Sequence, residues 1–186
     1  GPFPDRTEGD LDTLSDAGLF LLSGPTGAGK STVLDAVCFA LFGGVPGDRG
    51  TANRLRCDSA DPDVAPEVEL EATLGGRRFR ILRSPAWQRP KRRGGPGLTP
   101  VATRVSMSEL RHGAWEPVST RADEVGDQVG ALLGMSLGQF TQVAMLPQGQ
   151  FQRFLTARSE ERHALLTRLF RTGRFEDVER WLAERR

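Results

Sequence analysis

The run Leu19-Phe20-Leu21-Leu22-Ser23-Gly24-Pro25-Thr26-Gly27-Ala28-Gly29-Lys30-Ser31-Thr32 constrains this chain more than any other stretch. An apolar segment, a glycine-rich turn and a helix-forming run follow one another, the order of a buried strand, a phosphate loop and a helix. Gly24, Gly29, Lys30 and Ser31 fit the spacing G-x-x-x-x-G-K-[ST], and Gly27 narrows it to G-x-x-G-x-G-K-S. The glycines let the main chain turn so that its N–H groups approach phosphate oxygens. A helix starting near Gly29 adds unpaired N–H donors and the positive end of its dipole. In this reading Gly24, Pro25, Thr26, Gly27, Ala28, Gly29, Lys30, Ser31 and Thr32 surround a nucleotide. Lys30 reaches the β- and γ-phosphates, and the Ser31 hydroxyl binds Mg²⁺. A short glycine motif alone could be an ordinary turn. The strand before it and the apolar helix after it decide for nucleotide binding.

The chain has 186 residues, a length suited to one domain or slightly more, with ample material for a core. Its 25 Lys and Arg against 24 Asp and Glu leave a net charge of +1, which hides a local asymmetry. Arg77, Arg78, Arg80, Arg83, Arg89, Lys91, Arg92 and Arg93 form a stripe with no acid inside it. Such a stripe meets phosphate backbones, or it is a solvated arginine-rich hairpin, and the sequence weighs the two evenly. Cys38 and Cys57 lack metal-ligand spacing and form no disulfide framework, which suits a reducing cytoplasm. His112 and His163 are isolated and receive no catalytic role. No apolar run reaches membrane-spanning length and no signal peptide is visible, so no membrane partner is expected. The chain opens on Gly1 rather than Met and stops inside a charged helical pattern, which reads as a piece of something longer.

Residues 1–15 carry no convincing strand or helix. After the loop, Ser31 to Phe42 is apolar on nearly every face, which predicts a helix buried against a sheet and ended by Gly43-Gly44. Val45 to Pro66 reads as an irregular loop. Val68 to Leu74 alternates strictly, Gly75-Gly76 turns, and Arg78 to Arg83 alternates again, which predicts a hairpin. Pro85 to Pro100 is an excursion rich in Pro, Gly and Arg. Val101 to Leu110 resumes strand alternation, His112-Gly113 turns, and Trp115 begins a short return. Ser119 or Thr120 is placed to cap a helix through Val125, Val129 and Leu132-Leu133, ended by Gly134. From Ser159 onward the pattern is strongly helical, with acids early and arginines late. That last segment is either a surface helix closing the domain or the root of a coiled coil.

Four features recur together in a recognisable order. They are the loop Gly24–Ser31, the helix Val33-Leu34-Asp35-Ala36-Val37-Cys38-Phe39-Ala40-Leu41-Phe42-Gly43, the antiparallel hairpins, and Leu146-Pro147-Gln148-Gly149-Gln150-Phe151. With these the chain resembles, over nearly its whole length, the amino-terminal half of the ATPase head in the SMC-like ABC superfamily, and within it the SbcC-like family. The resemblance implies an α/β fold: a P-loop ABC-type ATPase half-head with an inserted antiparallel β subdomain and the start of a coiled-coil helix. Residues 1–157 would form the lobe and 158–186 the helix. It implies ATP and Mg²⁺ as ligands, with Gln148 sensing the γ-phosphate through metal and water. Gln150 is the less favoured choice, and from the residues alone Gln148 reads as a loop cap. Catalytic roles then fall to Lys30 and Gln148, and metal contacts to Ser31 and Gln148. Asn53 to Arg56 and the hairpin arginines become contacts to nucleotide or DNA by analogy only.

The family's Asp-Glu strand, Ser-Gly-Gly signature loop and switch histidine have no counterpart here. The resemblance puts them beyond a long coiled coil, so the segment by itself is expected to be inactive. The implied partners are the carboxy-terminal half of its own head, a second copy sandwiching ATP, a partner nuclease and double-stranded DNA. Two further readings stay open. One is a transporter-type or other P-loop NTPase, against which stand the absence of Tyr and the Phe39-to-Phe42 helix. The other is a nuclease-docking module that binds nucleotide only as a structural ligand.

Overall fold

A computed structural model describes residues 2–15, 18–46, 55–91 and 96–143. Alternation produces strands where the sequence shows it. β1 (Val68–Leu74) pairs antiparallel with β2 (Arg77–Ser84) through a turn at Gly75 and Gly76. Both glycines sit at positive φ, 56° and 77°, the geometry that matches the twist of the strands they join. Two further strands, β3 (Trp87–Pro90) and β4 (Leu98–Val101), pair with each other as a separate two-stranded hairpin. β5 (Arg104–Arg111) then returns beside β2, and β6 (Ala114–Ser119) pairs with β5 across a turn at His112 (φ 51°) and Gly113. The main sheet therefore runs β1-β2-β5-β6, antiparallel throughout.

One face of this sheet is the core. Phe79 and Ile81 of β2 lie beside Met107 of β5, all fully buried, and Ile81 faces Met107 directly in the register. Two helices pack against the strands: α2 (Lys30–Phe42) against β1 and β2, and α3 (Ala122–Leu133) against β5 and α2. α3 contributes Val125 and Val129, one turn apart and fully buried. α2 contributes Cys38, Phe39, Ala40 and Leu41, so only its second half is buried and Leu34 stays exposed. Both helices end as expected on a left-handed glycine: Gly43 N–H donates to the Phe39 carbonyl and Gly134 N–H to the Gly130 carbonyl.

Several expectations are corrected. A short α1 (Leu11–Ser15) stands where none was expected; Asp10 caps it, accepting from the amides of Asp12 and Thr13 and from the Thr13 hydroxyl. The excursion from Pro85 to Pro100 contains β3 and most of β4, which pair antiparallel from Trp87 opposite Val101 to Pro90 opposite Leu98, strands of only four residues each. The residue at the α3 N-cap is Arg121 rather than Ser119 or Thr120. β6 runs on to Ser119, which pairs with Met107, so the chain can turn only after it. Ser119 Oγ still accepts from the Arg121 amide and donates to Glu124.

The largest correction concerns Leu19 to Leu22. They form no strand and are not buried: Leu19 is 91% and Leu21 88% exposed. A central strand of a parallel sheet is buried on both faces and bonded on both edges. Among the described residues no strand pairs with this run, so nothing offsets the entropy of ordering it.

The chain divides into a unit Gly1–Leu137 and a unit Gly138–Arg186. Of the second, the structure describes only residues 138–143, which belong to α4 (Leu137–Val143). The helix expected over 158–186, the string around Gln148, and His163 lie outside the described residues. No helix among the described residues is long and apolar enough to cross a membrane. Cys38 and Cys57 are both buried and are not joined in a disulfide.

Candidate nucleotide-binding site

The phosphate-loop residues Gly24 to Lys30 wrap into a tight turn that feeds α2. The Ala28 amide donates to the Pro25 carbonyl at 3.2 Å, closing the loop. Gly27 and Gly29 both adopt left-handed φ, 88° and 87°. Gly29 is the N-cap of α2 and makes no side-chain cap, so the amides of the first helical turn are left to an outside acceptor or to the loop itself. Thr32 and Val33 donate to the Gly29 carbonyl. Gly29 also meets the amino-terminal segment. A Cβ there would lie 2.5 Å from Cζ of Phe3 and 2.7 Å from Cγ of Pro2, so the amino-terminal segment packs directly on this glycine.

Lys30 folds back over the loop. Its Nζ donates to the carbonyls of Gly24 and Pro25, each at 2.8 Å. The ammonium is thus held at the mouth of the turn rather than extended into solvent. Ser31 is exposed on the first helical turn beside it. The structure brings Gly24, Pro25, Thr26, Gly27, Ala28, Gly29, Lys30, Ser31 and Thr32 together by chain continuity, while Gln148, expected beside Ser31, lies outside the described residues.

Arg83 anchors the far end of the helix, a role that sequence reasoning missed. It is buried, yet its Nε donates to the Ala40 carbonyl at 2.7 Å and Nη2 to the Leu41 carbonyl at 3.3 Å. These are among the last carbonyls of α2, which have no partner within the helix. A cation there also meets the negative end of the helix dipole. Burial holds the guanidinium below its ordinary range. The signal for it was present: Arg83 occupies the same alternating face as Phe79 and Ile81, where an arginine must find acceptors.

The basic stripe resolves into ion pairs. Arg77 binds Glu109 of β5 with two hydrogen bonds, at 2.5 and 2.6 Å, and lies over the Phe79 ring. Arg80 pairs with Glu71 and stacks on Trp115 at 4.2 Å, and Arg78 reaches Asp12 and Glu71. The acids missing from the stripe are supplied by neighbouring strands and by α1. Arg56 donates to the carbonyls of Ala60 and Asp61 and lies over Trp87, so it holds its own loop together. Asn53, Arg54, Arg92 and Arg93 lie outside the described residues. Among the described residues of the stripe, Arg89 on β3 and Lys91 just after it keep the phosphate-binding reading.

Glu109 is the buried hub of the sheet's charges, with only 6% of its side chain exposed. Hydrogen bonding from Arg77 first, and then from Arg111, depresses its carboxyl from 4.5 to about 2. A value depressed in the folded state contributes stability that is complete above about pH 4.5 and is lost as pH falls toward 2. Thermal unfolding of Glu109→Gln against the wild type is therefore expected to show a gap at pH 7 that closes by about pH 2. A gap of constant size across that range would mean that the pair carries no pH-linked stability.

A family model described as an AAA domain matches residues 2–182. The chain is 42% identical over 185 residues, all of its length, to the C subunit of nuclease SbcCD from Vibrio cholerae serotype O1, covering 18% of that protein. It is 34% identical over 165 residues, 88% of its length, to the protein of the same name from Lactococcus lactis, covering 16% of it. With the Staphylococcus aureus (strain MRSA252) protein of that name it shares 33% identity over 184 residues, 99% of this chain and 18% of the relative. The chain thus spans less than a fifth of the length of these curated relatives. Matched by that family model over nearly all of its residues, the chain belongs to the AAA domain family.

Proposed function

We propose that this chain is the ATP-binding, amino-terminal half of an SMC-like ABC-type ATPase head. In the full protein that head hydrolyses ATP to control double-strand-end processing by an SbcD-like nuclease. The observation that carries the reading is the phosphate loop. It joins left-handed Gly27 and Gly29, an uncapped helix start and a lysine tethered at the loop mouth in one continuous turn. Similarity along 88–100% of the chain to proteins named as the C subunit of nuclease SbcCD supports the biological setting.

The roles follow from charge and reach. The backbone of Thr26 to Lys30 cradles phosphate oxygens, and Lys30 exchanges the carbonyls of Gly24 and Pro25 for the β- and γ-phosphates. Ser31 offers one hydroxyl, and the described residues hold no cluster of His, Cys, Asp or Glu suited to a metal. So small a donor set fits Mg²⁺, which keeps several waters and leans on substrate phosphates rather than on a protein cage. When bound, the ion neutralises charge developing on the γ-phosphoryl group. Gln148 would join Ser31 in holding the metal and would orient the attacking water. The water oxygen bonds to the γ-phosphorus as the bond to the β,γ-bridging oxygen breaks, ADP leaves with that electron pair, and the water's proton passes to the released phosphate. The exposure of Leu19 and Leu21 supports a head completed by strands from the carboxy-terminal half, with a second copy closing over ATP. Cys38 and Cys57, not joined in a disulfide, are in keeping with a cytoplasmic setting. The chain beyond 157 serves as the root of a coiled coil.

Calorimetry on the full-length protein is expected to register uptake of Mg-ATP; no uptake would remove the reading. Duplex DNA is the proposed partner of the residues around β3. Replacing Arg89, Lys91, Arg92 and Arg93 with Ala should weaken duplex binding and lower the slope of log affinity against log salt by roughly one for each phosphate left without its cation. An unchanged slope would make that hairpin a bystander surface.

A further inference from the structure

β3 and β4 stand apart from the main sheet as a two-stranded ribbon, and the two faces of that ribbon differ. Trp87 stands opposite Val101 and Pro90 opposite Leu98, and side chains alternate between the faces. One face anchors the ribbon: Trp87 is buried, and the Arg56 guanidinium lies over its ring. The other face carries Pro90, Leu98 and Pro100. There Leu98 is 56% exposed, at the end of the ribbon away from Trp87. An exposed leucine alone needs no explanation. This one is set among cations: Arg89 precedes Pro90, Lys91 follows it, and neither strand bears an acid. Among the described residues no carboxylate pairs with Arg89 or Lys91, in contrast to Arg77, Arg78 and Arg80. Lys91 is also held near the leucine. Its amide donates to the Gly97 carbonyl at 3.0 Å, and its Cδ, Cε and Nζ lie 3.4–3.5 Å from where a Gly97 Cβ would stand.

We infer that Leu98, braced by Pro90, is an apolar wedge for duplex DNA: it enters a base step while Arg89 and Lys91 hold the flanking phosphates. This rests on the duplex-contact reading of the β3 residues given above. A groove on a protein would be met by the leucine and prolines alone, whereas cations with no acid among them call for a polyanion. In a duplex the apolar surface is the face of the bases, which stacking conceals. A leucine reaches it only by parting a step, as apolar side chains flanked by Arg and Lys do from the minor groove. Parting costs least where pairing is already faulty, so the wedge confers a preference for a duplex that carries a mismatch. Rigidity suits the ribbon to this role. Pro90 and Pro100 have a fixed φ and little side-chain entropy to lose, and buried Trp87 pins the strands behind them.

The test uses the full-length protein and two duplexes of equal length and identical ends, one fully matched and one with a single central mismatch. Binding is read by fluorescence anisotropy at one fixed salt concentration. The wild type is expected to hold the mismatched duplex about ten-fold more tightly. Leu98→Ala and the polar, near-isosteric Leu98→Asn should bring the two affinities within about two-fold of each other, while Leu98→Met, apolar and close in volume, should keep the preference. Replacing Arg89 and Lys91 together with Ala should weaken both duplexes by a similar factor and leave their ratio intact. Equal wild-type affinity for the two duplexes would overturn the inference. So would a preference that survives in Leu98→Ala or Leu98→Asn, that disappears in Leu98→Met, or that falls with the two cations. A wild type that binds neither duplex would remove the duplex-contact reading itself, an outcome distinct from all of these.

Discussion

Replacing Lys30 with Ala in the full-length protein is expected to cut ATP turnover by roughly a hundred-fold or more while leaving its melting temperature almost unchanged. The two halves of this expectation have separate physical sources. The loss of turnover follows from the role proposed for the ammonium. It faces charge that grows on the γ-phosphoryl oxygens, and removing one preorganised positive group from such a site costs on the order of 3 kcal/mol or more. The small effect on stability follows from what Lys30 does in the structure at hand. Among the described residues its Nζ bonds to the Gly24 and Pro25 carbonyls, both on an exposed turn, and water can replace it there. Surface substitutions of that kind fall within about 0.5 kcal/mol. Steady-state hydrolysis and a thermal scan on the same preparation check both halves. Unaltered turnover would exclude the phosphate role, and a large drop in melting temperature would make Lys30 a structural strut instead.

Arg83→Ala should do the reverse, lowering stability by about 2–4 kcal/mol with little effect on nucleotide affinity in the protein that remains folded. The guanidinium is the link between sheet and helix. It reaches from β2 to the Ala40 and Leu41 carbonyls at the carboxy-terminal end of α2, and a Gly43 Cβ would stand 3.0 Å from its Nη1. Removing it strands buried carbonyls that water reaches poorly, and it leaves a cavity beside Ala40 and Leu41, both almost fully buried. Arg83→Lys should recover part of the loss, because an ammonium restores charge at the helix end but cannot span both carbonyls with a rigid fork. The phosphate loop lies about 20 Å away along the 13-residue helix, so binding should survive. Denaturant unfolding of wild type, Arg83→Ala and Arg83→Lys is the measurement. Equal midpoints for all three would show that the carbonyls manage without the cap.

How much of this molecule was legible beforehand depends on the range of the forces involved. β1 matches its predicted bounds, Val68 to Leu74, because alternation is a property of the strand itself and the Gly75-Gly76 turn is chosen by local backbone sterics. The ends of α2 and α3 at Gly43 and Gly134 were legible for the same reason, since a left-handed cap is decided within one turn. The candidate phosphate loop belongs here too: its glycines and lysine act within a few residues of one another.

The arginines were not legible in that way. From Arg77 to Arg93 the sequence is basic and without acids, and its surroundings decide what that means. Glu109 stands 32 residues from Arg77 along the chain, yet it holds that arginine by two hydrogen bonds. Strand register put it there, because β5 returns beside β2 with Phe79 opposite Glu109. Arg83 depended on the same kind of placement, since its acceptors belong to a helix more than forty residues earlier. The pairing of β3 with β4 and the arrival of Phe3 at Gly29 are likewise long-range events.

Leu19 to Leu22 shows the boundary from the other side. The apolar run is strand-like in composition, but a strand exists only with neighbours to bond it. Local geometry, the glycine turns, the carboxy-terminal helix caps, the alternation of β1 and β2 and the phosphate-loop spacing, was therefore determined by the sequence alone, because each rests on sterics and hydrogen bonds spanning a few residues. Which charges are neutralised, which arginine ties sheet to helix and which ring meets the loop were decided only by the tertiary structure, since Coulomb attraction and burial act between groups that folding must first bring together.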